Sequence, residues 1–414
     1  MTLPPPPVAA RKPHEATFHG VTLTDDWAWL RDPAYPEVND SEILDYLKAE
    51  NVYFEAAMAP HADLVEGLFQ EMKGRIKEDD SSPPLKDGNW LYWTAFKEGT
   101  QYRLWYRRPE TGGDESLIFD ENAEAEGKDY FRLGAFAVSP DGAKLATLVD
   151  DDGSERFKLV VRDLATGENL EIVTTVSIGQ PVWTSDSGGL VFTEVNDQWR
   201  SYRARYHHIG ADPAAAITLY EETADIAFSV GVGHTTDKSL ILVSTGNNSS
   251  NEVRFVPAAD PSAPLTMIRP RTPDVQYEVD SAHGSLWILT NDDHVNFRIV
   301  SADPARPADW TTIVAGSDRT YLRGLASHRD HLLVTSRVDG LDQLKVMIAA
   351  QAAAQLTTLT VRFDAKDGAL NAFLRSRARV TDESYDGETA QLTLAADVRL
   401  IDEIRAHPGL TIVS

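Results

Sequence analysis

His328-Arg329-Asp330-His331 places two imidazoles and a carboxylate within four residues, and ring nitrogens with carboxylate oxygens are common ligands of a divalent metal. The tetrad stands where a hairpin turn is expected, and turn chemistry is the simpler reading. Asp150-Asp151-Asp152 with Glu155 has the ligand types of a calcium loop. It lacks the regular alternation such loops use, so a solvated acidic hairpin accounts for it. His207-His208 follows Tyr202 and Tyr206 and reads as the edge of a strand, while His14 and His19 lie near Asp25 and Asp26 without a nucleophile to complete a triad. Trp27, Trp29, Trp90, Trp93 and Trp105 read as packing anchors rather than a ligand cage.

The motifs that build a reaction centre outright are missing. No Gly-x-Ser-x-Gly occurs, the pentapeptide whose small residues let a serine sit on a sharp strand-to-helix turn. Neither a phosphate-binding Gly-x4-Gly-Lys-Ser/Thr nor His-Glu-x-x-His is present. The chain has no cysteine, which excludes disulfides, thiol catalysis and thiolate metal sites. No catalytic, cofactor-binding or metal-ligating residue is therefore assigned, and no cofactor is expected.

With 64 acidic against 39 basic residues the net charge is −25. Nucleic acid and anionic membranes are poor partners for such a surface, and cationic peptides are favoured ones; the same carboxylates also serve solubility alone. No apolar run approaches the ~20 residues that span a bilayer. The opening MTLPPPPVAARK lacks the apolar core of a secretory signal, so a cytoplasmic location is expected.

The elements that would have to position any site show themselves through repetition. Leu91, Leu145, Leu190, Leu240, Leu286 and Leu332 each open a strand, at spacings of 54, 45, 50, 46 and 46 residues. Each follows a polar turn: Asp87-Gly88, Asp141-Gly142, Asp186-Ser187-Gly188, Asp237-Lys238-Ser239, His283-Gly284 and Arg329-Asp330. A further strand is expected from Tyr102, Phe157, Tyr202, Val253, Phe297 and Leu344. A period in the forties with several strands per unit marks a β-propeller, whose blades bury their faces against one another. The fold class is mainly β.

Outside the repeats the grammar changes. Residues 1–12 form a Pro-rich arm and His19–Pro33 is too irregular for one helix. Apolar steps of three and four predict a helix from Ser41 to Met58 and another over His61–Lys77. These precede the repeats and must pack on something other than a blade. The sixth repeat is cut short by the Ala-rich stretch 348–355. An unclosed ring exposes strand edges and part of its channel, so self-association through those edges is expected. From 356 to 414 the order β-α-β-β-α-β predicts a small ferredoxin-like α+β domain, with Leu370, Phe373 and Leu374 on its first helix and Leu400, Ile401 and Ile404 on its second. The expected division is 1–78 arm and helices, 79–347 incomplete propeller, 348–355 junction and 356–414 terminal domain.

His19–Asp32, with its DDWAWLRD, and Tyr46–Met58, YLKAENVYFEAAM, resemble the amino-terminal segment of the prolyl oligopeptidase family. Leu91–Arg108, Leu219–Leu242, the NNSSNEVRF stretch and Ile268-Arg269-Pro270-Arg271 are similar to its oligopeptidase B branch. The resemblance implies a seven-bladed propeller, here about six blades, that gates the access of short peptides to a Ser-Asp-His site on an α/β-hydrolase domain, with cleavage after Arg or Lys. No position of this chain matches those catalytic residues. The chain is thus expected to be the amino-terminal and propeller part of such a peptidase, inactive alone; an acidic propeller fusion that binds basic peptides or protein partners is the alternative. Val380–Val398 resembles the carboxy-terminal domain of the YigZ/IMPACT family. A natural fusion and a faulty gene model both remain open readings of that junction.

Overall fold

The computed structural model describes residues 3–35, 37–328, 331–348, 357–396, 404–405, 407 and 409–413. Most of the Ala-rich junction lies outside them, as do Leu400 and Ile401 of the expected second terminal helix and Arg329-Asp330 of the histidine tetrad. The chain divides into two compact units, Met1–Pro84 with Trp93–Leu104 and Leu85–Tyr92 with Trp105–Ser414.

In the first unit, β1 (His14–Phe18) and β2 (Val21–Asp25) form an antiparallel hairpin. Its turn, His19-Gly20, has φ of +49° and +80°, the left-handed pair that matches strand twist. The sequence reading left this segment irregular. Both strands are largely exposed, so no buried face imposes the alternation that would have revealed them. Asp32 is buried and accepts N–H bonds from Ala34, Asn39 and Asp40; these bonds hold its carboxyl below the ordinary range despite burial. That knot aims the chain into α1 (Ser41–Met58), whose N-cap Asp40 accepts from the N–H groups of Glu42 and Ile43. The second helix, α2 (Ala62–Gly74), buries no residue. Leu64, Leu68, Phe69 and Met72 stand exposed along it.

The repeats lie mostly in the second unit. β3 (Leu85–Asp87), β4 (Trp90–Ala95), β5 (Leu104–Pro109) and β6 (Ser116–Asp120) form the first sheet, followed by the short α3 (Glu121–Ala125). Next come β7 (Arg132–Val138), β8 (Lys144–Asp150), β9 (Phe157–Asp163), β10 (Asn169–Trp183), β11 (Gly189–Val195), β12 (Ser201–His208) and β13 (Ile217–Glu221), seven strands hydrogen-bonded in sequence order. They are two repeats sharing β10, which pairs with β9 over Asn169–Ser177 and with β11 over Ser177–Trp183. Register shifts near Thr174 and Ile178 let that strand bend from one repeat into the next. The fourth repeat is β14 (Ser229–His234), β15 (Leu240–Gly246), β16 (Asn251–Pro257) and β17 (Thr266–Met267). The fifth is β18 (Tyr277–Ala282), β19 (Ser285–Thr290), β20 (Arg298–Asp303) and β21 (Arg306–Val314). Three strands make the sixth: β22 (Thr320–Ser327), β23 (His331–Val338) and β24 (Leu341–Ile348).

All six expected leucines fall on the second strand of a repeat. Leu145, Leu190 and Leu286 are 0% exposed and Leu332 1%; each fully buried leucine contributes about 1.5–3 kcal/mol by leaving water. Leu190, Leu286 and Leu332 sit in cores formed between successive repeats, with Leu148, Val161, Trp183 and Phe192 between the second and third, and Trp287, Ile299, Leu322 and Val334 between the fifth and sixth. Arg271 binds the third sheet to the fourth: its guanidinium donates to Glu222 and, at 3.0 Å, to Glu252, and lies 4.1 Å from the centre of the Phe228 ring. Arg269 stacks over Trp310 at 3.5 Å and joins the fourth sheet to the fifth.

After the junction, β25 (Thr357–Asp364), α4 (Gly368–Arg377), β26 (Arg379–Asp386), β27 (Thr389–Ala396) and β28 (Thr411–Ile412) form a sheet of order β26-β27-β25-β28. A crossover helix and a hairpin in this order are the split β-α-β arrangement expected from the sequence. Leu359, Val361, Phe363, Leu370, Leu374, Leu392, Leu394 and Ile404 make its core. No helix among the described residues is long and apolar enough to cross a membrane.

Candidate functional site

In the second, third and fourth repeats the turn between the first and second strands is built on one device. In Ser139-Pro140-Asp141, Thr184-Ser185-Asp186 and Thr235-Thr236-Asp237 the hydroxyl donates to the aspartate two residues on, at 2.5, 2.5 and 2.8 Å. The same carboxylates accept the N–H of Ala143, Gly188 and Ser239. A turn so knotted spends its carboxylate on itself. The next residue takes a left-handed backbone in every case: Gly142 at φ +73°, Ser187 at +59° and Lys238 at +56°. At Gly142 a side chain is excluded twice, because a Cβ would also meet Trp90 Nε1 at 2.9 Å.

The first repeat departs from this rule. There the loop is only Gly88-Asn89, and Asp87 ends β3 opposite Trp90, so its carboxylate is not drawn into a longer turn. Its carboxylate instead accepts from Lys238 Nζ at 2.5 Å, across 151 residues of sequence. That ion pair stands beside a cavity of about 730 Å³ lined by the first four repeats.

The cavity walls are aromatic and fixed. Trp105 stacks on Phe136 with ring centres 4.2 Å apart; Arg107 lies 4.0 Å over Trp90 and donates to the Gly142 carbonyl. Trp183 donates its indole N–H to the Ala137 carbonyl, and His234 Nε2 donates to the Trp183 carbonyl at 2.7 Å. Burial, with the Lys238 charge nearby, pushes the His234 imidazole below its ordinary pKa although the Trp183 bond and Asp87 oppose it. Tyr92 is pushed up by burial. The arrangement offers cation-accepting ring faces, one carboxylate not used by its turn and a competing ammonium. It contains no serine activated by a histidine.

The residues weighed from the sequence do not converge. His14 lies opposite Asp25 on the β1–β2 hairpin. Asp150 accepts the N–H groups of Asp152, Gly153 and Glu155, and Asp151 pairs with Lys158, as an acidic turn does. His207 is buried on β12 with Nε2 3.0 Å from Glu171. His328 donates its backbone N–H to the His331 carbonyl and the two rings stack at 5.0 Å, so the described ends of that tetrad close a hairpin. Among the described residues no three His, Asp or Glu are grouped to hold a metal. Trp29 and Trp105 do act as anchors, Trp29 donating to the Ala10 carbonyl. Asp87, His234 and Lys238 were not singled out by the sequence reading. The available signal was the lysine in Asp237-Lys238-Ser239, where a sister turn has glycine.

Residues 6–375 match the family model described as the prolyl oligopeptidase N-terminal beta-propeller domain. Dipeptidyl aminopeptidase BI of Pseudoxanthomonas mexicana is 33% identical over 366 residues, which cover 83% of this chain and 50% of that protein. Protease 2 of Moraxella lacunata is 26% identical, covering 82% and 50%. Among solved structures, oligopeptidase B from Trypanosoma brucei with covalently bound antipain superimposes with a TM-score of 0.76 at 27% identity, and oligopeptidase B from Leishmania major with 0.75 at 26%. Each covers 83% of this chain and 51% of the other. The chain spans about half the length of the relatives it matches.

Proposed function

Because the chain belongs to the prolyl oligopeptidase family, on its oligopeptidase B branch, we propose that it is the amino-terminal and propeller portion of a serine peptidase that cleaves short peptides after basic residues. In this reading the propeller filters peptides, residues 1–78 and 79–347 act as separate functional parts, and 356–414 is an appended module. The observation that carries it is the propeller match over 6–375 in a sequence without Gly-x-Ser-x-Gly. The exposed apolar stripe of α2 supports it, since a hydrolase domain would cover such a face. Cytoplasmic peptides with Lys or Arg are the proposed substrates, and the −25 charge favours their approach.

The test is direct. Purified chain should neither hydrolyse an arginine-containing peptide nor take up a serine-directed fluorophosphonate; labelling or cleavage would overturn the assignment.

A further inference from the structure

Resting on that peptide-handling reading, we infer that the cavity lined by the first four repeats is a binding site for the cationic side chain of a short peptide, and that Lys238 is its intramolecular competitor for Asp87. Three independent features lead there. Asp87 ends β3 beside the two-residue loop Gly88-Asn89, and among the described residues its carboxylate bonds to Lys238, whereas the aspartates inside the longer turns of the second, third and fourth repeats bond within those turns. Lys238 takes the same left-handed backbone, at φ +56°, as Gly142 and Ser187 in the sister turns, so the turn itself does not call for a lysine there. The walls are also suited to a cation: Trp90 already carries the Arg107 guanidinium at 4.0 Å, and Trp105 with Phe136 adds a flat aromatic surface.

Exchange between Lys238 and a ligand cation is balanced. One ammonium leaves the Asp87 carboxylate as another ammonium or guanidinium arrives, so no charge is left unpaired in the cavity. Both partners of the existing pair are more than half exposed, at 55% and 56% of their side chains, which lets Lys238 swing into water. The neutral His234 adds no opposing charge. At about 730 Å³ the space accommodates an Arg or Lys side chain with flanking backbone.

The probe is an N-acetylated, C-amidated tetrapeptide with a single arginine, titrated calorimetrically into the full chain beside its norleucine counterpart. Acetylation removes the amino terminus, so any cation recognised is the side chain. The arginine peptide should bind and the norleucine peptide should bind about tenfold more weakly, with Asp87→Asn erasing the difference. Lys238→Met should tighten arginine-peptide binding about two- to fivefold, and Lys238→Gly should do the same. Melting curves check that all three variants fold. Equal binding of both peptides, or lysine variants that bind no tighter than the parent, would overturn the inference and leave peptide handling standing. Binding of neither peptide would overturn peptide handling itself.

Discussion

Arg271 faces two carboxylates that water barely reaches, with Glu222 at 2% and Glu252 at 4% exposure. Burial alone would raise Glu222, but the Arg271 guanidinium, the Tyr220 hydroxyl and the N–H groups of Asp225 and Ala224 hold it at about 2. Removing the cation leaves buried charge uncompensated, so Arg271→Met should cost about 3–5 kcal/mol in urea unfolding. The sign of the pH effect follows from the depressed folded value. Glu222 stabilises the fold above the unfolded carboxyl pKa near 4.5 and loses that contribution as pH falls toward about 2; Glu222→Gln should flatten this acid limb of the stability profile. Ile268-Arg269-Pro270-Arg271 is conspicuous in the sequence as a motif, but its partners are not. Glu222 lies 49 residues upstream of Arg271, and no local rule links the two. A separation of 151 residues likewise hid Asp87 and Lys238: each looked like ordinary turn chemistry until the fold brought them together.

At the level of strands and helices, most of the architecture was legible because turn residues punctuate it. The leucine series located the second strand of every repeat, and the helices at Ser41–Met58 and Ala62–Gly74 follow from their apolar steps. The β1–β2 hairpin and the continuity of β10 were not legible, the first for want of a buried face and the second because its two halves obey different neighbours. Among the described residues β24 pairs only with β23, and it leaves Leu344 and Val346 exposed at 64% and 65%. Such an edge is a template for another strand. The chain should therefore self-associate in sedimentation velocity as concentration rises, and Val346→Lys should shift it toward monomer by placing a charge on the edge. A Val346→Lys sample that associates as the parent does would place the contact elsewhere.

Across the whole chain the dominant quantity is the charge of −25. Self-repulsion at low ionic strength works against the compact state, and a change from about 0.02 to about 0.2 M salt shortens the screening length severalfold. Added salt should accordingly raise the melting temperature while weakening capture of cationic peptides, two opposite responses readable on one sample by scanning calorimetry and titration. An unchanged melting temperature would mean that ion pairs such as Arg203–Glu194 and Arg298–Asp292 already neutralise most of the strain.

β10 has a mechanical corollary. Fifteen residues of continuous strand run from the second repeat into the third, so a shared hydrogen-bonded strand joins those two in addition to their side-chain contacts. Where successive blades are instead joined by a short loop, as at Ser317 before β22, no shared strand adds to the packing between them. A bulky guest that wedges its way in sideways should therefore part a loop-joined seam before the one that shares β10.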